Sequence, residues 1–582
     1  MIRLSVVGVL LFVVFAVGWL GFKTLTVKTE LETAQSLTSE LTAQASELDF
    51  SGLVRTTAEL SEHSSAAAQA TDDPIWRLAE AVPYVGDNLR GIRVVAESLS
   101  QISTQVAQPA ALLANNLKLG ADPATGAVDL TPLDRADELL DAATEVLDSA
   151  QLKVNTVDTG RTVGPVSDAL AQLTQIVDES PPVITSARDY VTFAGALLGK
   201  DGPRNYLLAF QNNAEATALG GVSASFTLLH TEAGVVTITD AASSGDFHPG
   251  ELLTVPVDPS AVELTSGLLG YSNLATARPD FPTAGTLLQA YWARDRGVQV
   301  DGVISMDPTV LAHLLRATGP VPISDGQTLT AENAVQLLTN TIYFMYDSYT
   351  EPEKADNFFH AAAAAVVTKV QSGDFDLKEM IKALTVGTDQ GSIMVWSSRP
   401  DEQSLLDGSR LQGTLPRDNQ DATVVGVYFR DQSASKIDYY LDSSTTTTSD
   451  ICTGAASPTI TTTVQLSSIL TQAEADALPR YVKSSPFGSK YFGTEIQIYG
   501  PVGATLTDAH IVVEGRETLL YPAVDDLGRP VAKFTVYLEY GQTGEISTTF
   551  TGADGVYGPL EVRGTPMIRP TQRTVADSVP CG

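Results

Sequence analysis

The stretch from Asn205 to Gly245, NYLLAFQNNAEATALGGVSASFTLLHTEAGVVTITDAASSG, decides the fold of the domain around it. Its first apolar run, Tyr206–Phe210, predicts a short buried strand, and the alternating runs Ser223–His230 and Val235–Ala241 predict a β-hairpin. A polar cluster over 211–215 and a pair of glycines lie between them. The stretch therefore predicts a buried strand that ends in polar residues and leads into a hairpin.

Polar groups at the end of a buried strand are a common place for a ligand site. We therefore predict that the central sheet holds a ligand, with four side chains at its mouth: Gln211, Asn213, Glu215 and Asp246. The alternative is that the amides of Gln211 and Asn213 only satisfy the backbone of a loop.

Three carboxylates of this region, Glu215, Asp240 and Asp246, could together hold a Mg²⁺ ion, because magnesium prefers oxygen ligands. The alternative is that they are ordinary loop carboxylates. The sequence has no Walker loop, no GxGxxG entering a helix, no HExxH and no GxSxG. The cofactor therefore stays unknown, and Mg²⁺ is the one candidate that these residues suggest.

Strand-like and helical runs alternate through residues 201–389. The pattern predicts helices over Thr330–Tyr346 and Ala355–Val370 and a strand over Val300–Met306, with Asp307 as the N-cap of the helix that follows it. Strands interleaved with helices predict a mixed sheet covered by helices.

The N-terminal segment Leu4–Phe22 contains no charged residue and is about as long as a bilayer core is thick. It predicts a transmembrane anchor within residues 1–23, with Trp19 and Lys23 near one interface. The alternative is a cleaved signal peptide, although no small-x-small cleavage site follows the apolar run. Residues 24–200 carry apolar residues at three- and four-residue steps, which predicts a helical bundle that serves as a stalk.

Residues 390–582 contain short alternating runs separated by turn signals, a pattern typical of a small immunoglobulin-like β-sandwich. The runs Val424–Arg430 and Lys436–Leu441 predict a hairpin. The chain's two cysteines, Cys452 and Cys581, both lie in this region. In an oxidising compartment they would form a disulfide, and the alternative is two unrelated buried thiols.

The chain of 582 residues has a formal net charge of −33. Such an acidic surface argues against a nucleic-acid partner, because phosphate binding needs clustered cations. The acidity and the position of the cysteines favour an extracytoplasmic location for most of the chain.

Several motifs resemble those of the bacterial domain-of-unknown-function family 4012: Pro83–Gly86, Asn205–Ser225, Arg278–Pro282, Asp301–Pro308, Thr318–Val321 and Lys436–Tyr440. The resemblance implies an exported, membrane-anchored bacterial protein and no established activity. It covers most of the predicted exported part.

The order of elements in the central domain is also similar to that of the LytR-CpsA-Psr phosphotransferases, which attach lipid-linked glycopolymers to peptidoglycan. That similarity places Asp246 at the aspartate of an arginine–aspartate pair, but here the arginine is missing. Of the later basic positions, only Lys354 and His360 could substitute. Transfer of a pyrophosphate needs cations or a metal to hold its charge, and the sequence assembles no arginine cluster.

The sequence therefore predicts an α+β multidomain protein: a transmembrane helix over 1–23, a helical bundle over 24–200, a LytR-CpsA-Psr-like mixed α/β domain over 201–389 and a β-rich domain with an immunoglobulin-like sandwich over 390–582. We predict a membrane-anchored extracytoplasmic protein that binds or transfers a cell-wall polysaccharide or its polyprenyl-linked precursor. The alternative is a non-catalytic scaffold of the cell envelope. The residues are compatible with an enzyme and with a binding protein alike.

Overall fold

The computed structural model of this protein describes the chain except residues 1, 324–325, 452–456, 484–485, 487, 489–490, 514–515, 520–522 and 578–582. The chain divides into two units. One comprises Met1–Leu119 with Asp129–Ala196, and the other comprises Gly120–Val128 with Leu197–Gly582.

The first unit is helical. Its helices are α1 (Ile2–Ser46), α2 (Phe50–Thr71), α3 (Pro74–Ala79), α4 (Gly86–Ile102), α5 (Gln108–Asn115), α6 (Thr131–Val154) and α7 (Gly164–Leu197). The apolar residues at three- and four-residue steps on α7 are buried against α4 and α6, and they include Val166, Leu170, Leu173 and Val177. Mutual burial of amphipathic faces therefore holds this unit together.

The structure corrects the prediction of a membrane anchor over Leu4–Phe22. In the described part of the chain, no helix is both long enough and apolar enough to cross a membrane. The predicted segment is the beginning of α1, which continues for 45 residues. Leu20 packs against the cluster that contains Val27 and Trp76. Trp19 Nε1 donates a hydrogen bond to Asp73 Oδ2 at 3.1 Å, so this end of the segment belongs to the helical packing.

The second unit is built around a mixed sheet. Its strands are β1 (Arg204–Thr217), β2 (Gly220–Glu232), β3 (Val235–Ser243), β4 (Gly302–Met306) and, much later in the chain, β7 (Ile393–Ser397), in the order β3-β2-β1-β4-β7. β1 pairs antiparallel with β2 and parallel with β4, with Leu208 opposite Thr227 and Ile304. The hairpin and the mixed pairing agree with the prediction. A short separate pair consists of β5 (Val321–Pro322) and β6 (Thr328–Leu329).

Helices cover both faces of this sheet. The helices of this region are α8 (Pro259–Leu264), α9 (Phe281–Arg296), α10 (Pro308–Thr318), α11 (Ala334–Gln336), α12 (Ile342–Met345), α13 (Pro352–Gln371), α14 (Leu377–Gln390) and α15 (Pro400–Ser404). α9 packs on one face, where its Leu287 and Trp292 meet Ala209 and Phe226. α10 and α13 lie on the opposite face, to which Phe210 and Ser225 point. A short π-helical stretch, Leu337–Thr341, joins α11 to α12.

A β-sandwich completes the second unit. Its strands are β8 (Thr423–Asp431), β9 (Leu441–Ser449), β10 (Thr459–Ser468), β11 (Tyr491–Tyr499), β12 (Thr505–Val513), β13 (Arg516–Leu519), β14 (Ala523–Asp526), β15 (Arg529–Glu539), β16 (Thr543–Thr551), β17 (Leu560–Gly564) and β18 (Gln572–Asp577), with α16 (Gln472–Ala477) between β10 and β11. One sheet has the order β13-β12-β16-β10-β9-β18 and the other β14-β15-β11-β8-β17. Each sheet also has a parallel pair at one edge, which the pattern does not predict.

The predicted disulfide is also not supported. Cys452 and Cys581 both lie outside the described residues. Within the part of the chain that the structure covers, there is no disulfide.

Candidate functional site

The end of β1 bulges away from β2. The pairing passes directly from Asn212 opposite Val222 to Ala216 opposite Gly221, so residues 213–215 form a bulge. Gly221 is required here, because a Cβ atom at this position would lie 2.2 Å from the carbonyl oxygen of Asn212. The bulge therefore directs the polar side chains that follow the buried strand to new positions.

Gln211 and Asn213, two of the predicted ligand-binding residues, are buried and hydrogen-bonded within the protein. Gln211 Nε2 donates to Ser305 Oγ on β4 at 2.6 Å, and Gln211 Oε1 accepts from the backbone N–H of Gly221 at 3.1 Å. Asn213 Nδ2 donates to Asp307 Oδ2 at 3.0 Å and to the carbonyl oxygen of Pro566 at 2.7 Å. Both amides therefore connect β1 to neighbouring elements.

Asp307 combines an expected role with an unexpected one. Its Oδ1 accepts hydrogen bonds from the backbone N–H groups of Thr309 and Val310, at 2.8 and 3.0 Å, which makes it the predicted N-cap of α10. It is also fully buried, and burial raises its pKa, although the hydrogen bond from Val310 and the one from Asn213 act in the opposite direction. Asn213 therefore helps to stabilise a carboxylate that lies away from water.

Glu215, the third predicted residue, forms an ion pair with Lys436. Lys436 follows β8, and its side chain is only 7% exposed, whereas the side chain of Glu215 is 20% exposed. Burial alone would lower the pKa of Lys436, but the charge of Glu215 outweighs it and the pKa is raised. The lysine is therefore held as a cation beside this carboxylate.

Two further carboxyl groups, the buried Asp438 and the partly buried Asp431, lie beside this ion pair. Asp438 Oδ2 accepts a hydrogen bond from the backbone N–H of Ala216 at 2.8 Å. Burial and then the charge of Asp431 raise the pKa of Asp438 well above its usual value, and burial raises the pKa of Asp431 to about 6. We call Glu215, Asp431, Lys436 and Asp438 the carboxylate–lysine cluster. Burial beside another acidic group disfavours the charged forms of Asp431 and Asp438, and this is the cause of their raised pKa values.

Aromatic rings enclose the cluster. Lys436 Nζ lies 5.4 Å from the ring centroid of Tyr343 and 4.6 Å from that of Tyr481. The hydroxyl of Tyr343 accepts a hydrogen bond from Asn212 Nδ2 at 2.6 Å, which connects the cluster to β1. Glu215, whose side chain is 20% exposed, thus keeps partial access to solvent.

An apolar cavity of about 40 Å³ lies on the α13 side of the sheet, next to Asn212. Its lining comes from β1, β2, α10, the π-helical stretch and α13, and consists of Phe210, Gln211, Asn212, Ala224, Ser225, Pro308, Leu311, Leu338, Phe359, Ala362 and Ala363. Ser225 is 4% exposed, and its hydroxyl has no hydrogen-bond partner among the described residues. A buried hydroxyl without a partner is costly, which marks this wall as a place for a ligand atom.

The central segment matches a known family. Residues 201–343 match the family model described as a protein of unknown function (DUF4012). The predicted resemblance to this family is therefore confirmed for that segment. No curated protein matches the chain.

Two solved structures are similar to part of the chain. The X-ray structure of the Lin1025 protein from Listeria innocua is 14% identical with a TM-score of 0.23, and covers 38% of this chain and 83% of that chain. The crystal structure of protein gbs0355 from Streptococcus agalactiae is 15% identical with a TM-score of 0.24, and covers 38% of this chain and 79% of that chain. Such scores carry no structural or functional conclusion, and the similarity to the LytR-CpsA-Psr phosphotransferases is not confirmed.

The magnesium site predicted from Glu215, Asp240 and Asp246 is not assembled. Arg296 Nη2 donates hydrogen bonds to both carboxylate oxygens of Asp240, at 2.7 and 2.9 Å. Asp246 accepts a hydrogen bond from the backbone N–H of Ser243 at 2.7 Å and so caps a short 3₁₀ turn. In the described parts of the chain, no group of three or more His, Cys, Asp or Glu residues could hold a metal ion. Local ion pairing and capping therefore account for these carboxylates.

Glu215 lies in the segment that matches DUF4012, but the charged partners of Glu215 lie far along the chain. The ligand site predicted from the sequence does not include these partners. Asp431, Lys436 and Asp438 belong to or follow β8. The only signal in the sequence was the family-like motif Lys436–Tyr440, in which a lysine and an aspartate occur two positions apart. Asp246, the fourth predicted ligand residue, lies after β3 and makes no described contact with this cluster.

Proposed function

We propose that this protein binds the apolar chain of a lipid-linked saccharide, a precursor of a bacterial envelope polysaccharide, on the extracytoplasmic side of the cell. The apolar cavity beside Asn212, with the unpartnered hydroxyl of Ser225 in its wall, is the observation that carries the proposal. An isoprenoid chain with a polar head group matches a cavity that is apolar inside and has amide groups on one wall.

Binding is favoured over transfer because the cations near the sheet have other partners. Arg278 is bound to Asp526 at 2.6 Å, Arg294 to Asp295 at 2.7 Å and Arg296 to Asp240 at 2.7 Å. Lys436 is paired with Glu215. Phosphoryl transfer needs cations that are free to hold the phosphate charge. These residues therefore support a binding protein and give no support to a phosphotransferase.

The size of the cavity sets a condition on the proposal. A volume of about 40 Å³ holds only about three water molecules, at roughly 10–15 Å³ of such volume each. A prenyl chain is larger, so its entry requires α13 to move away from the sheet. The side of α13 that faces the cavity carries Phe359 and two alanines, Ala362 and Ala363, and the small side chains of the alanines interlock little with the strands.

The proposal is tested by titrating the full-length chain with farnesyl phosphate and measuring the heat of binding. We expect saturable binding that Ala362→Phe weakens by about tenfold or more, because the new ring fills the space of roughly two methylene groups, each worth about 0.8 kcal/mol. Ser225→Ala is expected to weaken it by about 0.5–1.5 kcal/mol if the hydroxyl bonds the ligand. Ala364→Phe, on the same helix but outside the cavity lining, is the matched control and should bind like the unmodified chain.

The second candidate is a non-catalytic envelope scaffold. It is favoured by the internal hydrogen bonds of Gln211 and Asn213, which give these amides a structural role. The absence of farnesyl phosphate binding, or equal weakening by Ala362→Phe and Ala364→Phe, would reject the ligand proposal and favour the scaffold.

A further inference from the structure

Lys436 and Glu215 bring an amine and a carboxyl group together from distant parts of the chain. Glu215 lies in the bulge of β1 and Lys436 follows β8, a separation of 221 residues. The lysine nitrogen contacts Oε1 of the glutamate directly, and the lysine side chain is 7% exposed. The two reacting groups of an amide bond are therefore already in contact and largely shielded from water.

The surroundings restrain the lysine on more than one side. The rings of Tyr343 and Tyr481 lie over its nitrogen at 5.4 and 4.6 Å. Tyr343 is held in turn by Asn212 through its hydroxyl group. Fixed contact between two reactants converts a bimolecular reaction into an intramolecular one, which lowers the entropic part of the barrier.

A proton carrier is adjacent to the pair. Asp438 accepts its hydrogen bond from the backbone N–H of Ala216, the residue that follows Glu215, at 2.8 Å. Its other oxygen, Oδ1, has no hydrogen-bond partner among the described residues. Burial and then the charge of Asp431 raise the pKa of this carboxyl group well above its usual value, which favours its protonated form. A buried carboxyl group with an unpartnered oxygen, bonded to the residue that follows Glu215, is placed to act as a general acid toward the Glu215 carboxyl group.

We infer that Lys436 and Glu215 become joined by an intramolecular amide bond, with Asp438 as the proton carrier. This inference is independent of the proposed ligand.

The reaction balances without an external reagent. A proton passes within the ion pair from the ammonium group of Lys436 to the carboxylate of Glu215, which gives a neutral amine and a carboxylic acid of the same total composition. The Nζ atom attacks Cδ of Glu215 and forms the C–N bond. Asp438 donates its proton to the departing oxygen, the C–O bond breaks and water leaves. Asp438 then recovers a proton from the nitrogen.

The same protein contains an internal comparison. Lys533 and Glu495, in the sandwich, form an ion pair at 3.5 Å, and the lysine side chain is 32% exposed. The neighbours of Glu495 are Arg430 at 2.8 Å and Gln497, whose Nε2 donates to it at 2.9 Å. These groups stabilise the ionised carboxylate, and none of them is a carboxylic acid. We expect no amide bond at this pair.

The test is the mass of the denatured full-length chain, followed by peptide mapping with tandem mass spectrometry. We expect a mass lower than that of the sequence by one water molecule, one branched fragment that contains both Glu215 and Lys436, and no tryptic cleavage after Lys436. Lys436→Arg preserves the ion pair but should restore the full sequence mass. Lys533→Arg is the matched control and should retain the deficit of one water.

Separate peptides for Glu215 and Lys436 in the unmodified chain, together with the full sequence mass, would overturn the inference. Because this measurement uses denatured unmodified protein, it does not depend on whether any variant folds. Asp438→Asn should retain the full sequence mass for longer after synthesis than the unmodified chain. An equally rapid and complete loss of water in Asp438→Asn would overturn the role assigned to Asp438.

Discussion

The stability of the second unit should depend on the protonation of Asp431. This carboxyl group is buried among Ser433, Ser435 and the rest of the carboxylate–lysine cluster, and burial raises its pKa from 3.8 to about 6. A pKa that is higher in the folded chain than in the unfolded chain means that folding favours the protonated form. The resulting stability is fully present below the unfolded pKa and is lost as the pH rises through the folded pKa.

The size of the effect follows from the shift. One unit of pKa corresponds to about 1.4 kcal/mol, so a rise of about two units is worth roughly 3 kcal/mol. The unfolded chain already loses part of its protons at pH 4. Between about pH 4 and pH 8, the free energy of unfolding of the unmodified chain should therefore fall by about 2 kcal/mol relative to that of Asp431→Asn, because the asparagine side chain does not titrate.

The measurement is urea unfolding at several pH values. Unfolding is detected by the fluorescence of Trp292 and Trp396, the tryptophans of the second unit. The quantity of interest is the difference in free energy of unfolding between the unmodified chain and Asp431→Asn. Asp421→Asn, which changes an exposed carboxylate of the same unit, serves as the control. If the unmodified chain and Asp431→Asn gave parallel curves from pH 4 to pH 8, or if the unmodified chain gained stability relative to Asp431→Asn as the pH rose, the buried-acid explanation would be wrong.

Two further predictions concern buried polar contacts of the second unit. Arg278→Met should destabilise this unit by about 3–5 kcal/mol in urea unfolding, because it leaves the buried carboxylate of Asp526 without its cation. The control is Arg399→Met, whose arginine is 44% exposed. A loss of stability in Arg278→Met no larger than that in Arg399→Met would contradict the prediction. Asn213→Ala should cost about 1–3 kcal/mol, because Asp307 and the carbonyl oxygen of Pro566 each lose a donor; unchanged urea unfolding would show that water replaces the amide.

The pattern of polar and apolar residues correctly predicted the elements whose structure depends on residues close in sequence. The β2–β3 hairpin and the N-cap at Asp307 follow from alternation and from a single side chain next to a proline. The predicted helix over Thr330–Tyr346 was only partly right, because a π-helical stretch over Leu337–Thr341 interrupts it and it ends at Met345. Local pattern cannot show such a change of helical register, since the same residues fit both forms.

The predicted strand Lys436–Leu441 shows why the charged cluster was missed. The residues alternate in polarity, but Ile437–Tyr440 form a 3₁₀ turn and the strand begins at Leu441. In this segment the polar residues Lys436 and Asp438 are buried, because their partner Glu215 and the backbone of Ala216 approach from β1. A pattern that assigns polar residues to solvent gives the wrong result where a distant element supplies the counter-charge.

The predicted magnesium site failed for the same reason. Asp240 and Asp246 lie close together in sequence near the end of the hairpin, but Arg296 at the end of α9 neutralises Asp240. Sequence spacing placed the carboxylates near one another and gave no information on a cation 56 residues away. Proximity in sequence identified candidate ligands, whereas tertiary contacts determined their roles.

The two sides of the end of β1 therefore differ in the space that they leave for a ligand. On the bulge side the predicted residues have internal partners: Asn213 bonds Asp307 and Pro566, and Glu215 bonds Lys436, while one oxygen each of Asn213 and Asp438 lacks a partner among the described residues. The α13 side retains a cavity and the unpartnered hydroxyl of Ser225. Because a ligand needs space as well as an unpartnered polar group, and the cavity lies on the α13 side, a ligand is expected to bind there. Substitutions that line the cavity should therefore change binding, and those in the bulge should change stability.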